Sequence, residues 1–112
     1  MARFHKTVPI DDYVLDVLMR DLVGHDHQPA AFLVYLYLYR QAQPQRWKPI
    51  TASLRTIAEA TGLSKSTAQI AVEKLCARQL IRSIRHYPTA TSKHRVLRHW
   101  LNPAPRRKAA QT

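Results

Sequence analysis

From Asp11 to Leu22, apolar residues recur at Tyr13, Val14, Val17, Leu18 and Leu22, a spacing that predicts an amphipathic helix closed at Gly24. Asp11 and Asp12 stand where a helix N-terminus favours negative charge. After a connector at 25–28, Pro29 suits the first turn of a second helix. Residues 30–43, AAFLVYLYLYRQAQ, carry two patterns at once. Val34 to Tyr39 alternates as a strand would, while Phe32, Tyr35, Leu36 and Tyr39 fall at i, i+3, i+4 and i+7. Length and the Pro-Ala-Ala start favour helix. With Leu33, Val34, Tyr37 and Leu38 also apolar, this helix has little polar face and needs partners on more than one side. The N-terminal helix can cover one side and a second subunit another.

Pro44, Trp47 and Pro49 mark a loop, and Ile50-Thr51 suits a very short strand. Leu54, Ile57 and Ala58 predict a short helix with Thr51 or Ser53 as its N-cap. Gly62 permits the left-handed backbone that ends that helix, and Ser64 can cap the next. The next helix, expected over about 64–78, has Ala68, Ala71, Val72 and Leu75 on one stripe. Its opposite side then presents Ser66, Gln69, Ile70, Glu73 and Lys74, with Lys65 and Thr67 in its first turn. Two alanines in the stripe let the helix sit close to its neighbour while its outer face protrudes. LIRSIRHY at 80–87 and KHRVLRHW at 93–100 are two β-type runs joined by a polar loop, a hairpin pattern. Asn102, Pro103 and Pro105 stop regular structure. The expected organisation is therefore an arm at 1–10, one domain at 11–101 and a basic flexible tail at 102–112.

Charge changes this picture. The 112 residues carry 18 Lys plus Arg against 7 Asp plus Glu, a formal charge of +11. Residues 1–49 are nearly balanced at net +1, whereas 65–108 hold eleven basic residues and the single acid Glu73. So uneven a distribution points to a polyanion partner on the second half of the chain. Cys76 is the only cysteine, which rules out an internal disulfide. No apolar run approaches the roughly 20 residues of a membrane span, and a cytoplasmic location is expected. His25, Asp26, His27, His86, His94 and His99 lack the spacing of a metal motif, so no metal or other cofactor is expected. Neither a nucleophile elbow nor a phosphate-binding glycine loop is present, and the acids at Asp11, Asp12 and Asp16 are explained by helix capping, so no enzymatic activity is expected.

LRTIAEATGLSKSTAQIAVEKLCARQLI, followed by the two β-type runs, resembles the helix-turn-helix core and wing of bacterial winged-helix regulators, including those similar to multiple-antibiotic-resistance regulators. The shared features are Ile-Ala before the turn, Gly-Leu-Ser at the turn, Ser-Thr-small opening the second helix, Leu near its end, and a following Arg-x-Leu-Ile. Such a resemblance implies a mainly α fold with a small β-hairpin wing, here a winged helix-turn-helix with an extra N-terminal helix. It implies a recognition helix at 64–78 lying in a DNA major groove and a wing at 86–94 on the adjacent groove or backbone. Base readout would fall to Ser66, Gln69 and Ile70, with Thr67 near phosphate. Lys65, Lys74, Arg82, Arg85, His86, Lys93, His94, Arg95 and Arg98 would supply the surrounding positive surface. Because the chain lacks long C-terminal dimerisation helices, a homodimer would use residues 11–43, with Tyr13, Val17, Phe32, Tyr35 and Tyr37 as its contacts. Gln79 stands where a glycine is common after the helix, and a left-handed backbone there costs roughly 1–2 kcal/mol for any other residue, so a differently shaped junction is one expectation. A transcriptional regulator is the leading reading. A plasmid or phage replication or partition factor, and a protein-binding adaptor, are the alternatives.

Overall fold

A computed structural model describes residues 6–101. Residues 1–5 of the expected arm at 1–10, and the tail at 102–112, lie outside the described residues.

The architecture is a winged helix-turn-helix: a helical bundle with a three-stranded antiparallel sheet. Helix α1 spans Pro29–Ala42, strand β1 Ile50–Thr51, helix α2 Leu54–Thr61, helix α3 Lys65–Ala77, strand β2 Ile81–Ile84 and strand β3 Lys93–Val96. Of the two patterns at 30–43, the helical one governs, with Pro29 in the first turn. Val34, Tyr35 and Leu38 are fully buried, and α3, α2, β1, β3 and the N-terminal segment all pack on α1. The covering that the sequence assigned partly to a second subunit is thus largely supplied from within the chain. Phe32 and Tyr35 lie inside this core, and the Tyr35 hydroxyl donates to the Leu97 carbonyl at 3.0 Å, so neither can serve as a dimer contact.

Ahead of α1, the expected N-terminal helix forms with wider winding, as π-helical runs over Val14–Leu18 and Arg20–His25. Gly24 does not end it; the turn closes beyond, where the Asp26 and Gln28 amides donate to the Asp21 and Leu22 carbonyls at 2.8 and 2.7 Å. π-Winding is rare over more than one turn. Here it sorts residues into rows four apart: Val14, Leu18 and Leu22 are buried, while Tyr13, Val17 and Asp21 form a half-buried neighbouring row. Tyr13 stacks on Trp100 at 4.6 Å between ring centroids, which engages one face of it inside the subunit.

The chain closes on itself at the base of the wing. Trp100 Nε1 donates to Asp11 Oδ2 at 2.8 Å, the Asp11 amide donates to the Tyr39 hydroxyl at 3.0 Å, and the Arg98 guanidinium lies 3.6 Å over the Trp47 ring. Arg98 is therefore used structurally, and Asp11 is a hydrogen-bonding anchor more than a helix cap.

Strand β3 lies centrally, in the order β1-β3-β2, with Ile81 opposite Val96, Arg82 opposite Arg95 and Ser83 opposite His94. Between α3 and β2, Gln79 adopts φ 59°. The junction thus keeps the left-handed shape with glutamine in it, because the Leu80 amide must reach back to the Leu75 carbonyl at 2.9 Å to turn the chain into the wing. Gln79→Gly should raise the unfolding free energy by about 1 kcal/mol, and Gln79→Val should lower it. Urea midpoints at unchanged m would show both shifts; equal midpoints for all three proteins would mean that the junction carries no strain.

Candidate nucleic-acid interface

Two serines and one glycine fix the helix pair. Ser53 Oγ accepts from the Thr56 amide at 3.1 Å to open α2, and Gly62 at φ 78° ends it. Ser64 Oγ then accepts from the Thr67 amide at 3.1 Å, so α3 begins within three residues. Ala68, Ala71 and Leu75 are completely buried and Val72 nearly so, and the short alanine side chains draw α3 onto its neighbours α1 and α2. What remains outward is Lys65, Ser66, Gln69, Ile70 and Glu73, with Thr67 half-buried. Ile70, 52% exposed, contributes nothing to the core.

Lys74 does not join that face. Its ammonium turns toward the N-terminal segment, 3.7 Å from Asp26 Oδ2, where Arg78 Nε also lies at 3.2 Å; Arg78 Nη2 is 3.6 Å from Asp21. The nearly buried Asp26 carboxylate is held below the usual range, first by the His25 side chain 2.9 Å away and then, against the opposing effect of burial, by Arg78 and Lys74. Oδ2 receives charge contacts without a well-directed hydrogen bond. This cluster clamps the C-terminal end of α3 to the body of the protein.

His94 also departs from the expected site. At 3% exposure it lies beneath the wing. Its Nε2 is 3.1 Å from the Ala52 carbonyl, which can only accept, so Nε2 carries the proton. Nδ1 then accepts from the Ser83 hydroxyl at 2.8 Å, and Ser83 Oγ is 3.4 Å from Cys76 Sγ on α3. One imidazole thereby joins β1, β3, β2 and α3. Burial lowers its pKa below the ordinary 6.5 and keeps it neutral, which excludes it as a cationic contact.

Strand alternation divides the remaining basic residues between two faces. Ser83 and His94 point toward α3, so Arg82 and Arg95, paired directly opposite each other and exposed, stand on the face turned away from it. Like charges in such a cross-strand pair repel, and among the described residues no acid lies within salt-bridge distance of either. Half-buried Lys93 shares that face, opposite Ile84. Arg85 instead borders a cleft of about 400 Å³ between α2, α3 and the wing, together with Lys65 and Gln69. Its guanidinium donates to Ser92 Oγ at 3.0 Å and, at 3.4 Å, to the Pro88 carbonyl, bracing the loop that exposes His86 and Tyr87.

Sequence reasoning missed Arg55 and Tyr87, and placed Glu73 on the outer face without giving it a role. Arg55 lines the same cleft although it pairs with Glu59 at 3.1 Å. Glu73 accepts from Gln69 Nε2 at 3.4 Å on the outer face of α3. Tyr87, 62% exposed near the end of the wing, was hidden within a β-type run. No three His, Cys, Asp or Glu side chains gather as metal ligands among the described residues, and no helix there is long and apolar enough to cross a membrane.

Residues 28–81 match the model of a family described as helix-turn-helix domain, which spans α1 through the start of β2. The match and the sheet together give a helix-turn-helix fold of the winged type, and a helix-turn-helix domain suggests DNA binding. No curated protein matches the chain. Nor does any solved structure.

A neutral buried imidazole binds its proton more weakly in the folded state than in the unfolded one. Its contribution to stability is full above about pH 6.5 and is lost as pH falls through that value toward the folded pKa. Unfolding free energy should therefore decline as pH falls below about 6.5, and His94→Gln, less stable at neutral pH, should lack that part of the decline. Urea titrations across this range test it; parallel profiles for the two proteins would refute the assignment.

Proposed function

We propose that the protein is a sequence-specific double-stranded DNA-binding protein, a homodimeric transcriptional regulator without enzymatic activity, acting in the cytoplasm. The observation that carries the reading is the outward face of α3, where Lys65, Ser66, Gln69 and Ile70 are exposed while the opposite stripe is consumed by the core. An α-helix presented in this way fits the major groove, about 12 Å wide. Gln69 can exchange its long contact with Glu73 for paired bonds to adenine N6 and N7, and Ile70 can press on a thymine methyl. Glu73 can accept from cytosine N4.

The wing supports the same reading. Arg85 borders the cleft on one face and Arg82 and Arg95 occupy the other, so a hairpin edge entering a groove would bring cations toward both phosphate walls. In a dimer on an inverted repeat, the two α3 helices would lie about one DNA turn apart, roughly 34 Å. A replication or partition factor of a plasmid or phage would use the same surfaces. Adaptor binding to protein alone finds less support, since the basic surface would then have no counter-charge.

Selection of bound duplexes from a random pool tests this function, with a recovered motif of two symmetric half-sites expected. Within that motif, Gln69→Ala should cost about 1–3 kcal/mol at one base position and relax discrimination there, whereas Lys65→Ala should weaken all duplexes alike. Recovery of no motif, or identical behaviour of the two variants in binding titrations, would contradict the assignment of reader and anchor.

A further inference from the structure

The four-residue rows of the N-terminal segment leave one apolar row without a partner among the described residues. Leu15, Met19 and Val23 are 44%, 40% and 40% exposed, on the far side of the buried row from Tyr13, Val17 and Asp21. Since Asp21 reaches Arg78 and Tyr13 stacks on Trp100, the exposed row lies on the flank turned away from α3 and the base of the wing. Beside it runs an exposed charged row, Asp12, Asp16 and Arg20, acidic toward the N-terminus and basic toward the C-terminus. Arg20 has only its neighbour Asp21 within reach, at 3.8 Å, among the described residues.

An apolar row flanked by charges of opposite sign at its two ends is complementary to itself when two copies run antiparallel. Around a twofold axis near Met19, the leucine, methionine and valine side chains of each copy meet those of the other, and Asp16 of each faces Arg20 of its mate. The surrounding half of the chain is nearly neutral, so no net repulsion opposes the approach, whereas the strongly basic half would resist self-association. We infer that Leu15, Met19 and Val23 form the surface through which a second copy of this chain docks, with Asp16 and Arg20 setting the antiparallel register. The inference rests on the homodimer proposed above and moves its contact from Tyr13, Phe32 and Tyr35, which the fold engages internally, to the adjacent outward row. Both α3 helices remain free.

Sedimentation equilibrium of the full chain at tens of micromolar tests it. The unaltered protein should sediment as a dimer, and Met19→Glu as a monomer whose circular dichroism is unchanged. Asp16→Arg and Arg20→Asp should each weaken dimerisation by roughly tenfold through like charges at both pairs, and the double variant should restore it. A monomeric unaltered protein, a dimer indifferent to Met19→Glu, or a double variant no better than either single one would overturn the inference. Duplex binding measured on the same samples separates the two readings: DNA binding by a monomeric unaltered protein would end the docking surface and the dimer while leaving DNA binding, and a dimer with no affinity for DNA would end the DNA-binding reading while leaving the docking surface.

Discussion

Helix α1 has almost no polar face, and the position of every other element follows from the need to cover it. Val34, Tyr35, Leu38 and Tyr39 cannot be left in water, since each large apolar or aromatic side chain gains on the order of 2 kcal/mol by burial. The chain meets this demand with α2 and α3 on one side, the sheet beside them and the N-terminal segment on another. Because α3 meets its neighbours partly through Ala68 and Ala71, it lies close, and its far face is raised above the surface with polar residues and a lone isoleucine on it. The protruding helix is thus a consequence of how α1 is covered.

Two polar arrangements then fix that helix in direction. Asp26 and Asp21 hold Lys74 and Arg78 at its C-terminal end, and the Cys76, Ser83 and His94 chain ties its last turns to the wing. Both rely on groups whose charge state is set by burial or by immediate neighbours, neutral for His94 and ionised for Asp26. A helix held in a rigid frame loses little freedom on meeting a partner, which favours specific over merely electrostatic association.

Much of this was legible in the sequence. Spacing located α2, α3 and the hairpin, length and the Pro-Ala-Ala start decided α1, and Gly62 with its flanking serines located the turn, because caps and left-handed positions are strict local demands. Harder to read was the destination of side chains within periodic segments. His94 and Arg95 adjoin in one strand, yet pleating sends the first into the core and the second into solvent, and that phase depends on register with β2 and β1. Lys74 sits on the half-exposed edge of its helix, where a carboxylate 48 residues away decides its direction. The π-winding of the N-terminal segment has no sequence signature of its own, and the stripe read at Tyr13, Val14, Val17, Leu18 and Leu22 left the outward row at Leu15, Met19 and Val23 without a role. At Gln79 local propensity argued against a backbone shape that the hydrogen bond from Leu80 to Leu75 imposes.

In the proposed function, phosphates complete a surface whose cations outnumber its acids, with Arg82 and Arg95 directly opposite each other as a like-charge pair. The most direct measurement is the dependence of duplex affinity on salt. Six phosphate contacts predict a log–log slope of about −5, with Arg82→Ser/Arg95→Ser shallower by about 1–2 units. A slope near zero, or no affinity for duplex at low salt, would contradict the account.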